Sequence, residues 1–142
     1  MDLRHLDRRA LADTGRLVAA VRPDQLASPT PCDGWGVRTL LNHVVGGNHL
    51  YATAASGGAA DWGSRESDRL GEDDAGPAAA YDRSATAVTA AFAALDLGED
   101  TVVMPFGELP ASHAVAVHFV DVLVHGWDLA TATGQDPTLD PT

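Results

Sequence analysis

The chain has no lysine, no isoleucine, a single cysteine, and nowhere a run of eighteen apolar residues. Each absence closes off a class. Without lysine there is no Gly-rich phosphate loop ending in Lys-Ser or Lys-Thr, so a nucleotide cradle of that kind is excluded. Cys32 alone can form neither an intrachain disulfide nor a four-cysteine zinc site. Without a long apolar run no segment reads as a membrane-spanning helix, and Met1-Asp2-Leu3-Arg4-His5-Leu6-Asp7-Arg8-Arg9 is charged where a secretory signal needs an apolar core. Nine arginines face twenty Asp and Glu, a formal charge of −11. Such a surface repels phosphate backbones and anionic lipid, so neither nucleic acid nor a membrane is expected as a partner. The 142 residues suffice for one core and not for two full domains. The expectation is a single soluble, cytoplasmic domain. The lack of isoleucine beside 25 alanines points to a G+C-rich genome and says nothing of function.

What is present is mostly helical periodicity. Leu3, Leu6, Ala10, Leu17 and Val21 fall on one stripe, and Pro23 ends the pattern, which predicts a first helix over about residues 2–22. A Pro-rich connector follows. Val37, Leu40, Leu41, Val44, Val45, Tyr51 and Ala52 then predict a second helix over about 34–55, with Asp33 as its N-cap. Residues 57–76 carry five glycines and four aspartates with little apolar period, and read as a long mobile crossover. Pro77 suits a first helical position, and Tyr81, Ala85, Val88, Phe92 and Leu95 predict a third helix over about 77–97. Thr101-Val102-Val103-Met104 is a short extended strap or edge strand.

The run from Ala114 to Ala132 is rich in valine, which favours strand, yet it continues for about twenty residues without a turn, which favours helix. Its polar residues decide between them. On a helix His118, Asp121, His125 and Asp128 lie within roughly 80° of arc, whereas a strand scatters them over both faces. Gly134 stops this fourth helix. Four helices with a long crossover between the second and third make an all-α four-helix bundle that departs from simple up-down-up-down order. Beyond it, Asp140-Pro141 reads as the start of another helix.

The polar line on the fourth helix is either its solvent face or a seam inside the bundle. In the second case Asp121 and His125, one turn apart, present two ligands to a metal, and a facing helix must bring the third. His43, on the flank of the second helix near Gly46 and Gly47, is the candidate, against the alternative of a structural histidine. His118 is a further ligand or a neighbour. Asp128 either holds the second nitrogen of His125 or is a solvated carboxylate. Cys32 has no evident base beside it and reads as structural, and Trp35 as packing at the start of the second helix. Of the many carboxylates only Asp121, with Asp128 in support, is expected to turn inward.

Two motifs carry a resemblance. Thr30-Pro31-Cys32-Asp33-Gly34-Trp35-Gly36-Val37-Arg38 with Leu40-Leu41-Asn42-His43-Val44-Val45-Gly46-Gly47, and His125-Gly126-Trp127-Asp128-Leu129-Ala130 with Ala132-Thr133-Gly134, resemble the metal-binding family related to the N-terminal domain of mycothiol-dependent maleylpyruvate isomerase, within the DinB-like bundles. The resemblance covers nearly the whole chain. It implies a DinB-like four-helix bundle holding one divalent metal, zinc or nickel, between the second and fourth helices, with His43, Asp121 and His125 as ligands. Asp121 stands where many relatives have Glu or His. The resemblance also implies further C-terminal structure in relatives, so residues 1–142 read as a single domain lacking that segment.

The expected function is a metal-dependent enzyme that uses a low-molecular-weight thiol, mycothiol by resemblance, to transfer to or isomerise an electrophilic substrate. The alternative is a non-catalytic metal-binding bundle, with a homodimer contact among its roles.

Overall fold

The computed structural model of this chain describes residues 2–65, 68–70 and 76–137. The first helix, α1 (Leu3–Ala19), opens on Asp2, whose side chain accepts from the Arg4 N–H. It closes three residues before the predicted end, because the Ala20 and Val21 N–H groups turn back onto Arg16 and Val18 ahead of a single turn of 3-10 helix at Pro23–Gln25. Its buried face is Asp7, Ala10, Leu11, Thr14 and Val18. That face is rotated from the predicted stripe, and Leu3, Leu17 and Val21 pack only at its margin.

The second helix, α2 (Val37–Ala55), begins at Gly36 rather than at the predicted Asp33, and no side chain caps it. Its first N–H groups go instead to backbone carbonyls of the connector, Val37 to Ser28 and Arg38 to Leu26. Folding the connector back beside the helix start makes a capping carboxylate unnecessary. The predicted mobile crossover is also partly ordered. A turn of helix, α3 (Trp62–Arg65), follows Asp61, whose carboxylate accepts from the Gly63 N–H. Farther on, Arg38 and Asn42 bind Asp68, the Asn42 side-chain oxygen accepts from the Arg69 and Leu70 N–H groups, and Leu70 enters the core.

Pro77 does occupy the first turn of α4 (Pro77–Ala93), which ends short of the predicted residue 97. The Thr101–Met104 strap is one arm of an antiparallel hairpin, β1 (Thr101–Met104) with β2 (Gly107–Pro110), in register from Thr101 opposite Pro110 to Met104 opposite Gly107. The sequence hid β2 because Gly107-Glu108-Leu109-Pro110 has no alternating pattern, while Gly107 supplies the positive φ, 141°, that brings the chain back. The last helix, α5 (Ala111–Thr133), is the predicted fourth helix begun three residues earlier, and Gly134 ends it in the left-handed region at φ 70°. The Asp140-Pro141 step lies outside the described residues.

The four long helices form the expected bundle, with the hairpin laid against α2 and α5. In cross-section, α1 packs on α5 and α4, and α2 packs on α4 and α5. Helices consecutive in sequence, α1 and α2, therefore lie across the bundle from each other, as do α4 and α5. Only the connection through residues 56–76 joins adjacent long helices. This arrangement positions the polar residues of α5, since it sets that helix in the angle between α1 and α2. Gly126 makes the α1 contact tight: a Cβ there would meet Thr14 Oγ1 at 2.7 Å.

Candidate metal centre

The site begins with the connector. Thr30 and Trp35 bond through their backbone, Trp35 N–H reaches the Cys32 carbonyl, and Pro29 pairs with Gly36 as an antiparallel bridge. This tight loop puts the Trp35 ring 4.7 Å from the His43 ring and 6.2 Å from that of His125, with the two imidazoles 4.7 Å apart edge to face. Trp35 thus packs on both histidines rather than at the helix start alone, and limits how either can turn.

His43 comes from α2, while Asp121 and His125 come from successive turns of the facing α5. Their donor atoms all lie within 4.8 Å of one another, and all three residues are half-buried. His125 Nε2 stands 3.2 Å from Asp121 Oδ1. Burial opposes the charged form of His125, but the hydrogen bond to Asp121 and the charges of Asp121 and Asp128 outweigh it, raising the pKa above the usual histidine value.

The other side of the same ring is different. Nδ1 of His125 is shielded from solvent and makes no hydrogen bond, although Asp128 Oδ2 lies 3.3 Å away. That oxygen accepts from the Cys32 thiol at 3.2 Å. Asp128 is therefore a buried carboxylate beside His125, not a solvated one, but it accepts the hydrogen bond of the Cys32 thiol and stands only at ion-pair distance from Nδ1. Cys32, read from sequence as having no base nearby, sits against this carboxylate, and burial first, then the Asp128 contact, pushes its pKa up.

His118 is not at this centre. It is buried in the bundle among Tyr51 and Phe92, with Nδ1 2.6 Å from Asp7 Oδ1 and Nε2 2.8 Å from Asn48 Oδ1. Asn48 Nδ2 donates to Ser84 Oγ, which donates to the Tyr81 carbonyl, so the seam touches all four long helices. One turn along α5 separates His118 from Asp121, enough to carry it from the mouth to the interior. Sequence reading missed Asp7, the most buried carboxylate described, at 1% exposure. The signal existed: Leu3, Asp7, Ala10, Leu11 and Thr14 follow helical spacing, with the carboxylate inside the apolar face.

The description mycothiol maleylpyruvate isomerase N-terminal domain matches residues 8–130. The chain belongs to this family. Within it, proteins from two strains of Mycobacterium tuberculosis, both described as uncharacterised, are each 37% identical over 141 residues, 99% of this chain and 72% of theirs. Among solved structures, the mycothiol-dependent maleylpyruvate isomerase matches with a TM-score of 0.73 and 17% identity, over 89% of this chain and 59% of that one. A histidine-to-alanine mutant of that enzyme matches with the same TM-score at 16% identity. At such identity the likeness establishes the DinB-like fold, and this chain spans only 59% of the isomerase's length. Among the described residues no helix is long and apolar enough to cross a membrane.

Proposed function

We propose that this family member is a metal-dependent enzyme that uses a low-molecular-weight thiol of the mycothiol type to transfer to, or isomerise, a small electrophile. The observation that carries the reading is the convergence of His43, Asp121 and His125, from two helices that sequence places far apart, within 4.8 Å. In a tetrahedral site with ligands about 2.0–2.2 Å from the ion, neighbouring donor atoms stand about 3.4 Å apart. The 3.2 Å between His125 Nε2 and Asp121 Oδ1 needs only a small adjustment to fit that edge. Two imidazoles and one carboxylate suit zinc or nickel, and three protein donors leave a position for an exogenous ligand. A divalent ion held there would supply Lewis acidity, lowering the pKa of a thiol that occupies the open position.

The chain's own residues do the rest. Trp35 braces both imidazoles, the α2–α5 contact fixes the distance between His43 and the Asp121–His125 pair, and Asp121 offsets part of the ion's charge. The name of the matched isomerase supports mycothiol as the thiol and an electrophilic small molecule as its partner.

The test is metal analysis of the purified full chain beside His43→Ala and His125→Ala, paired with mycothiol-dependent turnover over a panel of electrophiles. The expected result is near-stoichiometric metal in the parent, loss in both variants, and turnover that needs both metal and thiol. Full metal in both variants overturns the ligand set. A second reading, a non-catalytic bundle that dimerises, draws on the half-exposed row Val117, Val120, Val124 and Trp127 along α5. It predicts bound metal, a dimer by sedimentation, and no turnover with any thiol.

A further inference from the structure

His125 has two ring nitrogens and the fold gives each its own set of neighbours. Nε2 faces Asp121. Nδ1 faces the opposite way, toward Asp128 Oδ2 at 3.3 Å, and the same oxygen lies 3.2 Å from Cys32 Sγ. The donor atoms of Cys32, His125 and Asp128 all fall within 4.8 Å of one another. The three residues come from two segments 93 or more positions apart in sequence, the connector before α2 and the last turns of α5.

We propose that Cys32, Asp128 and the Nδ1 face of His125 form a second cation site, selective for a thiophilic divalent ion such as zinc, cobalt or cadmium. Three observations carry it. The first is the nitrogen: Nδ1 is shielded from solvent and makes no well-formed hydrogen bond, its neighbour being the Asp128 carboxylate at ion-pair distance, and a cation between the two satisfies both. The second is spacing. With a metal–sulfur distance of about 2.3 Å and metal–nitrogen and metal–oxygen distances of about 2.0–2.2 Å, tetrahedral edges come to about 3.4–3.6 Å, within a few tenths of the two separations found. The third is charge. Asp128 is a buried carboxylate held by a neutral thiol, and a divalent ion taking the place of the thiol proton offsets the charge of both the carboxylate and the thiolate that results.

Binding there releases the Cys32 thiol proton to solvent, and from a charged ring the Nδ1 proton as well, and replaces the thiol's hydrogen bond to Asp128 with bonds from both groups to the ion. A shallow cleft of about 350 Å³, lined by Thr30, Cys32, Asp33, Trp35 and Gly36, gives an ion a path to the sulfur. The set does not require the proposed His43–Asp121–His125 centre to be filled: with that centre empty, a neutral ring carrying its proton on Nε2 offers the Nδ1 lone pair, and filling both at once also releases that last ring proton to solvent.

Cobalt(II) titration of the metal-free full chain tests it. Cys32 is the chain's one cysteine, so a sulfur-to-cobalt charge-transfer band in the near ultraviolet has a single source. The expected result is that the band grows with added cobalt, is abolished in Cys32→Ser, falls at least tenfold in affinity in Asp128→Asn, and survives in His43→Ala. Circular dichroism confirms that each variant folds. Absence of the band at saturating cobalt overturns the proposal, as does its loss in His43→Ala, which would assign the sulfur to the other ion. Cobalt stoichiometry separates the two centres: loss of one equivalent in His43→Ala with the near-ultraviolet band retained is loss of the other centre alone, and an unchanged stoichiometry with the band retained means that the proposed centre fails while this one stands.

Discussion

The buried seam His118–Asp7–Asn48 makes a prediction whose size follows from the structure. His118→Leu is close to neutral in volume, so its cost is electrostatic: the Asp7 carboxylate, 1% exposed, loses the nitrogen 2.6 Å away, and Asn48 Oδ1 loses its partner at 2.8 Å. Stranding a buried hydrogen-bonding group by removing its partner typically costs about 1–3 kcal/mol, and here two groups are stranded at once. Asp7→Ala removes the carboxyl group but leaves Nδ1 of His118 without its partner and a small void, which amounts to about 2–3 kcal/mol. The double variant leaves neither group stranded, and so costs less than the two single changes together by at least about 1 kcal/mol. Urea unfolding followed by circular dichroism measures all three; with a slope of about 1–3 kcal/mol per molar, a 3 kcal/mol loss moves the midpoint by about 1 M or more. Single variants that each cost under about 1 kcal/mol, or a double variant equal to their sum, would refute the view that this seam is a coupled unit joining α1 to α5.

The α1–α5 contact gives a second test: Gly126→Ala should lose about 1–3 kcal/mol by driving a methyl against Thr14 Oγ1, and Thr14→Ala in the same chain should recover part of it, both read as unfolding midpoints. The crossover gives a third, since Arg38→Ala removes an exposed ion pair with Asp68 and should cost less than about 1 kcal/mol, while Leu70→Ala, 5% exposed, should cost about 2–4 kcal/mol. Equal losses would mean that polar ties rather than the buried leucine hold that segment. Cys32 gives a fourth: because burial and Asp128 raise its pKa, iodoacetamide should label the metal-free chain more slowly than a free thiol at pH 8, with the rate still climbing above the usual thiol range, and Asp128→Asn should shift the profile downward. The sign carries over to stability: a thiol with a raised folded pKa favours the folded state below the unfolded thiol's pKa, and that contribution disappears as pH rises through the raised value.

Residues whose environment is local were legible from their spacing. Pro77 at the start of α4 and Gly134 at the end of α5 act through their own backbone, and the arc shared by His118, Asp121, His125 and Asp128 follows from helical geometry alone. Asp33 was misread for the complementary reason. A capping carboxylate is one way to satisfy the first N–H groups of a helix, and the connector supplied carbonyls of Ser28 and Leu26 instead, a choice that depends on how residues 26–36 fold back.

By itself the sequence determined a helical, acidic chain without disulfide or phosphate loop, and one helix face carrying two imidazoles and two carboxylates. Tertiary structure decided what each of those four does. An 80° arc is wide enough, roughly, for its two edges to meet different neighbours, and α5 lies in the angle between α1 and α2. His118 consequently turns to Asp7 and Asn48 in the core, Asp121 and His125 turn to His43 at the mouth, and Asp128 turns to Cys32. Periodicity fixes which side of a helix a residue occupies. Which partner waits there depends on the order in which helices distant in sequence pack around it, and no local pattern encodes that order.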